Sequence, residues 1–259
     1  MLLLVYSLTL STAFYYWLRI KTHMQASLML VDNPIVGLIA FCVAYYVIGF
    51  RLTSLILIPV SIPVVSFLLI QLRFWRTPKR KISALPNEIV SPADGNVIYV
   101  NRIDHGDDFI SIKNGKLSTL FEFTQSDLLH KPCWQIGINM TPFDVHKNCS
   151  PIQGKIMQSL HVNGKFHSLK EFLSLTENER HTYVIANDKY RVGVVQIASK
   201  RVKRIDSYVK EGDVLEKGDL IGMIRFGSQV DVFLPINTTI QVSVGEQIYA
   251  QKTVIGSIS

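Results

Sequence analysis

Residues 222–235 read Gly-Met-Ile-Arg-Phe-Gly-Ser-Gln-Val-Asp-Val-Phe-Leu-Pro. From Val230 to Leu234 the run is β-branched and aromatic and it alternates, the pattern of a strand with one face in a core. The same texture recurs at 96–100 (Asn-Val-Ile-Tyr-Val), 109–112 (Phe-Ile-Ser-Ile) and 190–197 (Tyr-Arg-Val-Gly-Val-Val-Gln-Ile), with Gly, Asp and Asn between the runs. Helical signals in this part are few, and residues 168–173 (Ser-Leu-Lys-Glu-Phe-Leu) are the best of them. These patterns predict a mainly β (α+β), β-sandwich-like soluble domain over residues 91–259. Within it, Gly212-Asp213 and Gly218-Asp219 punctuate short apolar runs and predict a compact hairpin at a sandwich corner.

Working outward, residues 73–90 form a basic, proline-marked stretch that reads as an extended linker. Upstream of it the chain changes character. Residues 1–72 carry only four charged side chains, Arg19, Lys21, Asp32 and Arg51. Three apolar runs, 2–18, 34–50 and 52–72, approach or exceed the length needed to cross a bilayer as a helix. Pro59 and Pro63 are expected to kink the last of these. The predicted fold is thus an N-terminal α-helical membrane anchor followed by the β domain. Arg73, Arg76, Lys79, Arg80 and Lys81 follow the third run, and Arg19 and Lys21 follow the first. The positive-inside rule puts both clusters, and the soluble domain with them, on the cytoplasmic side of the cell membrane.

Composition agrees with that division. The 259 residues are 48% hydrophobic and 18% charged, with a net charge of +7. Disorder is excluded, since it requires low hydrophobicity. A nucleic-acid partner is not expected of so apolar a chain, and a basic cluster behind an anchor suits anionic lipid instead. Cys42, Cys133 and Cys149 contain no Cys-x-x-Cys spacing, so neither a disulfide framework nor a zinc site is expected. His161 and His167 lack a third ligand at metal spacing, and no metal is expected.

Three patches carry chemistry: Ser91-Pro-Ala-Asp-Gly95; residues 138–146 (Ile-Asn-Met-Thr-Pro-Phe-Asp-Val-His), continuing to Pro151 and Gly154; and residues 222–235. Taken singly they are ordinary. Asp94-Gly95 reads as a β-turn, Gly227-Ser228 as a turn that has a second copy at Gly256-Ser257, and His146 as a structural histidine. Met140 and Phe143 read as core residues beside the site. In this order and spacing, behind an apolar N-terminus, the patches resemble the phosphatidylserine decarboxylases, most closely the short form of bacteria and archaea. Residues 177–180 (Glu-Asn-Glu-Arg) and 196–205 (Gln-Ile-Ala-Ser-Lys-Arg-Val-Lys-Arg-Ile) agree with it. The resemblance spans roughly residues 73–240. Departures are Cys149 where the family usually has Arg, Asn139 where it has Phe, Ser199 where it has Gly, and a longer segment over 101–134.

The resemblance implies a proenzyme that makes a covalent pyruvoyl cofactor from its own chain. Loss of CO2 from an α-amino acid leaves a carbanion, which needs an electron sink. Gly227 permits a strained backbone, so that the Ser228 hydroxyl can attack the Gly227 carbonyl. His146 is the candidate base and acid, and Asp94 the candidate orienting group. Scission between Gly227 and Ser228 would turn Ser228 into a pyruvoyl group, with chains 1–227 and 228–259 staying together as a heterodimer. Its ketone would form a Schiff base with the serine headgroup of a membrane phospholipid, giving phosphatidylethanolamine and CO2. An archaetidylserine-type decarboxylase fits the same residues, and a homo-oligomer is compatible with them. Residues 208–222 also have the hairpin shape of lipoyl-like carrier domains, with Lys189 in the place of a modified lysine; the rival from that class is a non-enzymatic carrier or membrane-fusion module. It expects no cleavage.

Overall fold

The computed structural model describes residues 1–22, 24–48, 52–104, 110–112, 116–164, 179–198, 204–225 and 228–258, with the backbone alone at Ile48, 110–112, 116–118 and Ser228. Phe109, the expected helix at 168–173, residues 177–178, and Arg51, His167, Ser199, Lys200, Arg201, Lys203 and Gly227 lie outside the described residues. The chain forms two compact units, one of Met1–Arg76 with Thr141–Phe143, the other of Thr77–Met140 with Asp144–Ser259.

The first unit is built on three helices, α1 (Leu2–Thr22), α2 (Ala26–Ile48) and α3 (Ser54–Trp75). Helix α2 starts eight residues earlier than the charge-free run at 34–50 suggests, and takes Asp32 and Pro34 inside it. The carboxylate is tolerated because it is buried against Arg73 in a two-pronged ion pair between α2 and α3. Small residues let α1 and α2 approach: Ser7 Oγ donates to Gly37 O at 2.7 Å and Ser11 Oγ to Asn33 O at 2.8 Å. Helix α3 is assigned as one element through Pro59 and Pro63. Pro59 has no N–H for the carbonyl of Leu55, and Tyr6 OH of α1 donates to that carbonyl instead, at 3.2 Å. Ala26–Val47 and Ser54–Trp75 are long and apolar enough to cross a membrane, and only 22% of each window is buried, so neither behaves as a core helix. Phe143, expected to be a core residue, is buried with this unit's apolar cluster.

The second unit is antiparallel β. Its strands are β1 (Glu88–Val90), β2 (Gly95–Ile103), β3 (Ile110–Ile112), β4 (Lys116–Ser118), β5 (Cys133–Met140), β6 (Lys147–Cys149), β7 (Gly154–Val162), β8 (Arg180–Ala186), β9 (Arg191–Ala198), β10 (Ile205–Ser207), β11 (Val214–Leu215), β12 (Leu220–Ile224), β13 (Ser228–Pro235), β14 (Thr238–Ile240), β15 (Gln247–Ile248) and β16 (Val254–Ile258). Eight of them form one sheet in the order β11-β7-β8-β9-β13-β5-β2-β15. Among the described residues the other strands form the three-stranded sheets β1-β16-β14 and β10-β12-β6 and the hairpin β3-β4.

Alternation along β13 decides the layering. Val230, Val232 and Leu234 enter a large core shared with Ile89 and Ile255 of one small sheet and Ile221 and Ile224 of the other, the sheet-on-sheet arrangement of a sandwich. Phe233 faces a second cluster with Ile103, Val195, Ile197, Leu120 and Phe123. The last two lie on α4 (Leu120–Thr124), within residues 101–134. This helix opens on a capping box: Thr119 Oγ1 accepts from Glu122 N at 3.0 Å while Glu122 accepts from Thr119 N at 3.1 Å.

The expected hairpin at 208–222 is a corner. Strand β11 pairs with β7 in the large sheet and β12 with β10 and β6 in a small one. Each Gly-Asp pair closes a turn, Asp213 accepting from Lys210 N and Asp219 from Glu216 N, so turn chemistry alone resembled a hairpin. Lys189 stands in the turn from β8 to β9, which Asn187 closes by accepting from the N–H of both Lys189 and Tyr190. Gly256-Ser257, the second Gly-Ser pair, lies inside β16.

Candidate active site

Strand β13 runs between β5 and β9, and Ser228 is its first residue. The Ser228 backbone is in register with Met140, the last residue of β5, and with Ala198, the last of β9. The next row joins Gln229 to Asn139 and Asn139 to Asn96 of β2. Asp94 lies two residues before Asn96, and His146 six after Met140. The antiparallel register therefore brings Asp94, His146 and Ser228, far apart in sequence, to the same end of the central sheet. Ile224, the last residue of β12, donates its N–H to the carbonyl of His146 at 3.2 Å, which ties the segment leading to Gly227 to the histidine backbone.

His146 is fully buried, and its Nδ1 lies 2.9 Å from the carbonyl of Asp144. A carbonyl can only accept, so Nδ1 carries a proton, and in the neutral ring the lone pair falls on Nε2. Asp94 is also buried. Its Oδ1 accepts from Ala250 N at 2.8 Å and its Oδ2 from Val145 N at 3.4 Å, one residue before His146. Both carboxylate oxygens are gripped by the Arg80 guanidinium, with Nη2 2.8 Å from Oδ2. Hydrogen bonding to Asp94 holds Arg80 above its usual pKa. Asp94-Gly95 is not the turn that the dipeptide suggests: Gly95 opens β2 at φ +154°, and a Cβ there would stand 2.5 Å from the carbonyl oxygen of Asn139.

Two buried polar networks flank these residues. Gln196 Nε2 donates to Asn148 Oδ1 at 2.7 Å, and Asn148 Nδ2 reaches the carbonyl of Pro92 at 3.4 Å, joining β9, β6 and the loop before Gly95. Asp231 accepts from Tyr99 OH at 2.5 Å, from Gln135 Nε2 at 2.7 Å and from Gln229 Nε2 at 2.7 Å. Burial first, then the Asp231 charge, pushes the Tyr99 phenol well above its ordinary pKa. Sequence reasoning missed Arg80, Asn148, Tyr99 and Asp231. Nothing local sets them apart, because each acts through a partner on another segment.

The remaining candidates fall away from this site. Arg73 and Arg80 are engaged by Asp32 and Asp94 and Arg76 is half-buried, so of the basic cluster behind α3 Lys79 and Lys81 are the exposed members. Arg204 pairs with Asp206, as does Arg225. Cys149 is buried, and desolvation pushes its thiol up to about 12, so it does not ionise near neutrality. Asn139 is half-buried and serves the β2–β5–β13 register. His161 pairs with Glu179 at 3.3 Å, and the described residues contain no cluster that could hold a metal.

The family model described as phosphatidylserine decarboxylase matches residues 67–256. The chain belongs to the phosphatidylserine decarboxylase family. It is therefore an enzyme of a decarboxylase family, and the resemblance noted on the three patches holds across nearly all of the β domain. One relative, from Methanocaldococcus jannaschii, is 40% identical over 197 residues, which is 75% of this chain and 93% of the relative; its provisional name is archaetidylserine decarboxylase proenzyme. A relative of the same provisional name from Methanothermobacter thermautotrophicus is 38% identical over 74% of this chain and 81% of its own. The phosphatidylserine decarboxylase proenzyme of Burkholderia ambifaria is 34% identical over 72% of this chain and 78% of its own.

Proposed function

We propose that this chain is a membrane-held proenzyme that cuts itself between Gly227 and Ser228 and then decarboxylates the serine headgroup of phosphatidylserine to phosphatidylethanolamine. The observation that carries this reading is the placement of His146: buried, with Nδ1 held 2.9 Å from the Asp144 carbonyl, at the end of the sheet where β13 begins.

In the first reaction His146 Nε2 takes the proton of the Ser228 hydroxyl, whose oxygen attacks the Gly227 carbonyl. The peptide bond gives way to an ester. β-Elimination then releases 1–227 with a free carboxylate, and hydrolysis of the new N-terminus frees ammonia. The residues present fit a pyruvoyl group at position 228, because that backbone is paired on both sides and a new chain end there stays in the sheet. When formed, the group supplies a ketone that binds the substrate amine and withdraws the electron pair left as CO2 departs. His146 then returns a proton to the substrate α-carbon. Asp94 serves both reactions by fixing the backbone of Val145 next to His146.

The apolar helices α2 and α3 suit a substrate that stays in the bilayer, and the basic residues behind α3 suit a cytoplasmic face. Archaetidylserine shares the headgroup, and two relatives carry its name, so substrate assays are to offer both lipids. Intact-mass measurement of the full chain tests the proposal. The expected result is a 32-residue piece, 228–259, blocked to N-terminal sequencing and reactive to hydrazines. Ser228→Ala should remain whole and inactive. A whole, active wild-type chain would overturn the reading.

A further inference from the structure

We infer that Arg80 is a positioning residue of this site, and that Thr77–Leu85 is a strap that carries it onto Asp94. The inference rests on the self-cleaving reading given above.

The segment reads as a linker, yet it is tied down along its length. Thr77 Oγ1 accepts a hydrogen bond from Lys147, the residue after His146. Ile82 Cδ1 fills the space beside Gly218, where a Cβ would stand 2.1 Å from it. The carbonyls of Leu85 and Glu88 both accept from Lys217 Nζ. Between these anchors Arg80 turns inward. Its side chain is 16% exposed, against 1% for Asp94. Nη1 also donates to Ala250 O at 2.8 Å, and the guanidinium lies 5.8 Å from the centre of the Tyr249 ring. The fork is thus held from the 249–250 turn as well as by the carboxylate it binds.

Geometry explains why the residue must be arginine. A planar guanidinium engages both oxygens of a carboxylate at once and fixes its rotation, whereas an ammonium holds a single point. The Asp94 carboxylate in turn accepts from Val145 N at a long 3.4 Å. So weak a contact keeps its aim only while the carboxylate is clamped. Loss of Arg80 leaves the carboxylate held at Oδ1 by Ala250 N alone, so that it can turn about that point and release the Val145–His146 backbone.

The test compares wild type, Arg80→Ala and Arg80→Lys as full chains in detergent, following release of 228–259 by mass spectrometry. Arg80→Ala should cut about 100-fold more slowly, the scale of a 1 Å misplacement of a reacting group. Methylguanidine should restore much of that rate, and equal methylamine or sodium chloride should not. Arg80→Lys, which keeps the charge, should fall between the two while melting like wild type; it decides the matter if Arg80→Ala does not fold. A folded Arg80→Ala that cuts as fast as wild type would overturn the role of Arg80, as would slow cutting without methylguanidine rescue. Arg80→Lys cutting at the wild-type rate would do the same. An uncut wild-type chain would instead overturn the reading of the site itself.

Discussion

Replacing Gly95 with alanine is expected to disable self-cleavage at a residue that contributes no functional group. The backbone there has φ +154°, a region that side chains avoid at a cost of about 1–3 kcal/mol. The added Cβ would also stand 2.5 Å from the Asn139 carbonyl oxygen. That oxygen cannot simply retreat, because Asn139 is in register with Asn96 on one side and Gln229 on the other. Overpacking of this kind costs about 1–3 kcal/mol, so the sum is roughly 2–6 kcal/mol. Relief requires β2 to move off β5, which displaces Asp94, the residue just before Gly95. A shift near 1 Å is worth about 100-fold in rate. The assay is the fraction of chain cut at purification and afterwards, with thermal melting measured in parallel. Gly212→Ala is the control: φ is +95°, nothing lies within 4 Å of a Cβ there, and the site is elsewhere. It should lose about 1 kcal/mol and cut normally. Wild-type cutting by Gly95→Ala, with a stability loss no larger than that of Gly212→Ala, would refute the reasoning.

Asp231→Ala leaves Tyr99 OH, Gln135 Nε2 and Gln229 Nε2 without their shared acceptor and should cost about 3 kcal/mol or more in urea unfolding; a loss under about 1 kcal/mol would contradict the network's role. His181 gives the chain an acid-sensitive element. Desolvation, and then His161, lower its pKa from 6.5 to about 4. The unfolded chain takes up a proton below pH 6.5 that the folded chain refuses until about 4, so stability is lost as pH falls through that window, by about 3 kcal/mol. Melting curves of His181→Gln should be flatter than wild type between pH 6.5 and 4, and equal slopes would exclude this assignment. Tyr6→Phe removes the donor to the Leu55 carbonyl freed by Pro59 and should destabilise the helical unit by about 1 kcal/mol in detergent, with no change in a Tyr16→Phe control.

Much of the fold was legible because its signals are short-range. Uncharged runs of about 20 residues announced the helices, and period-two alternation announced β2, β9 and β13. Errors arose where the signal depends on a distant partner. Helix α2 begins ahead of the uncharged run because Asp32, which reads as a helix-ending charge, is neutralised by Arg73, 41 residues away. The turns at Gly212 and Gly218 were chemically plain, but their geometry cannot say that the flanking strands pair in different sheets. Phe143 sits in a patch of site residues and yet is buried with the helical unit.

The order of residues along the chain was enough to point to the apolar helices, the strands, and the Gly227-Ser228 pair and His146 on which the proposed reaction rests, because each depends on residue type and near neighbours. Tertiary structure alone decided which nitrogen of a neutral His146 carries the proton, since that follows from a carbonyl 2.9 Å away. It also decided that Arg80 belongs to Asp94. A cation in a basic linker has the same local chemistry whether it faces lipid or a buried carboxylate, and the choice is made by the sheet register and the strap that bring the two within a hydrogen bond of each other.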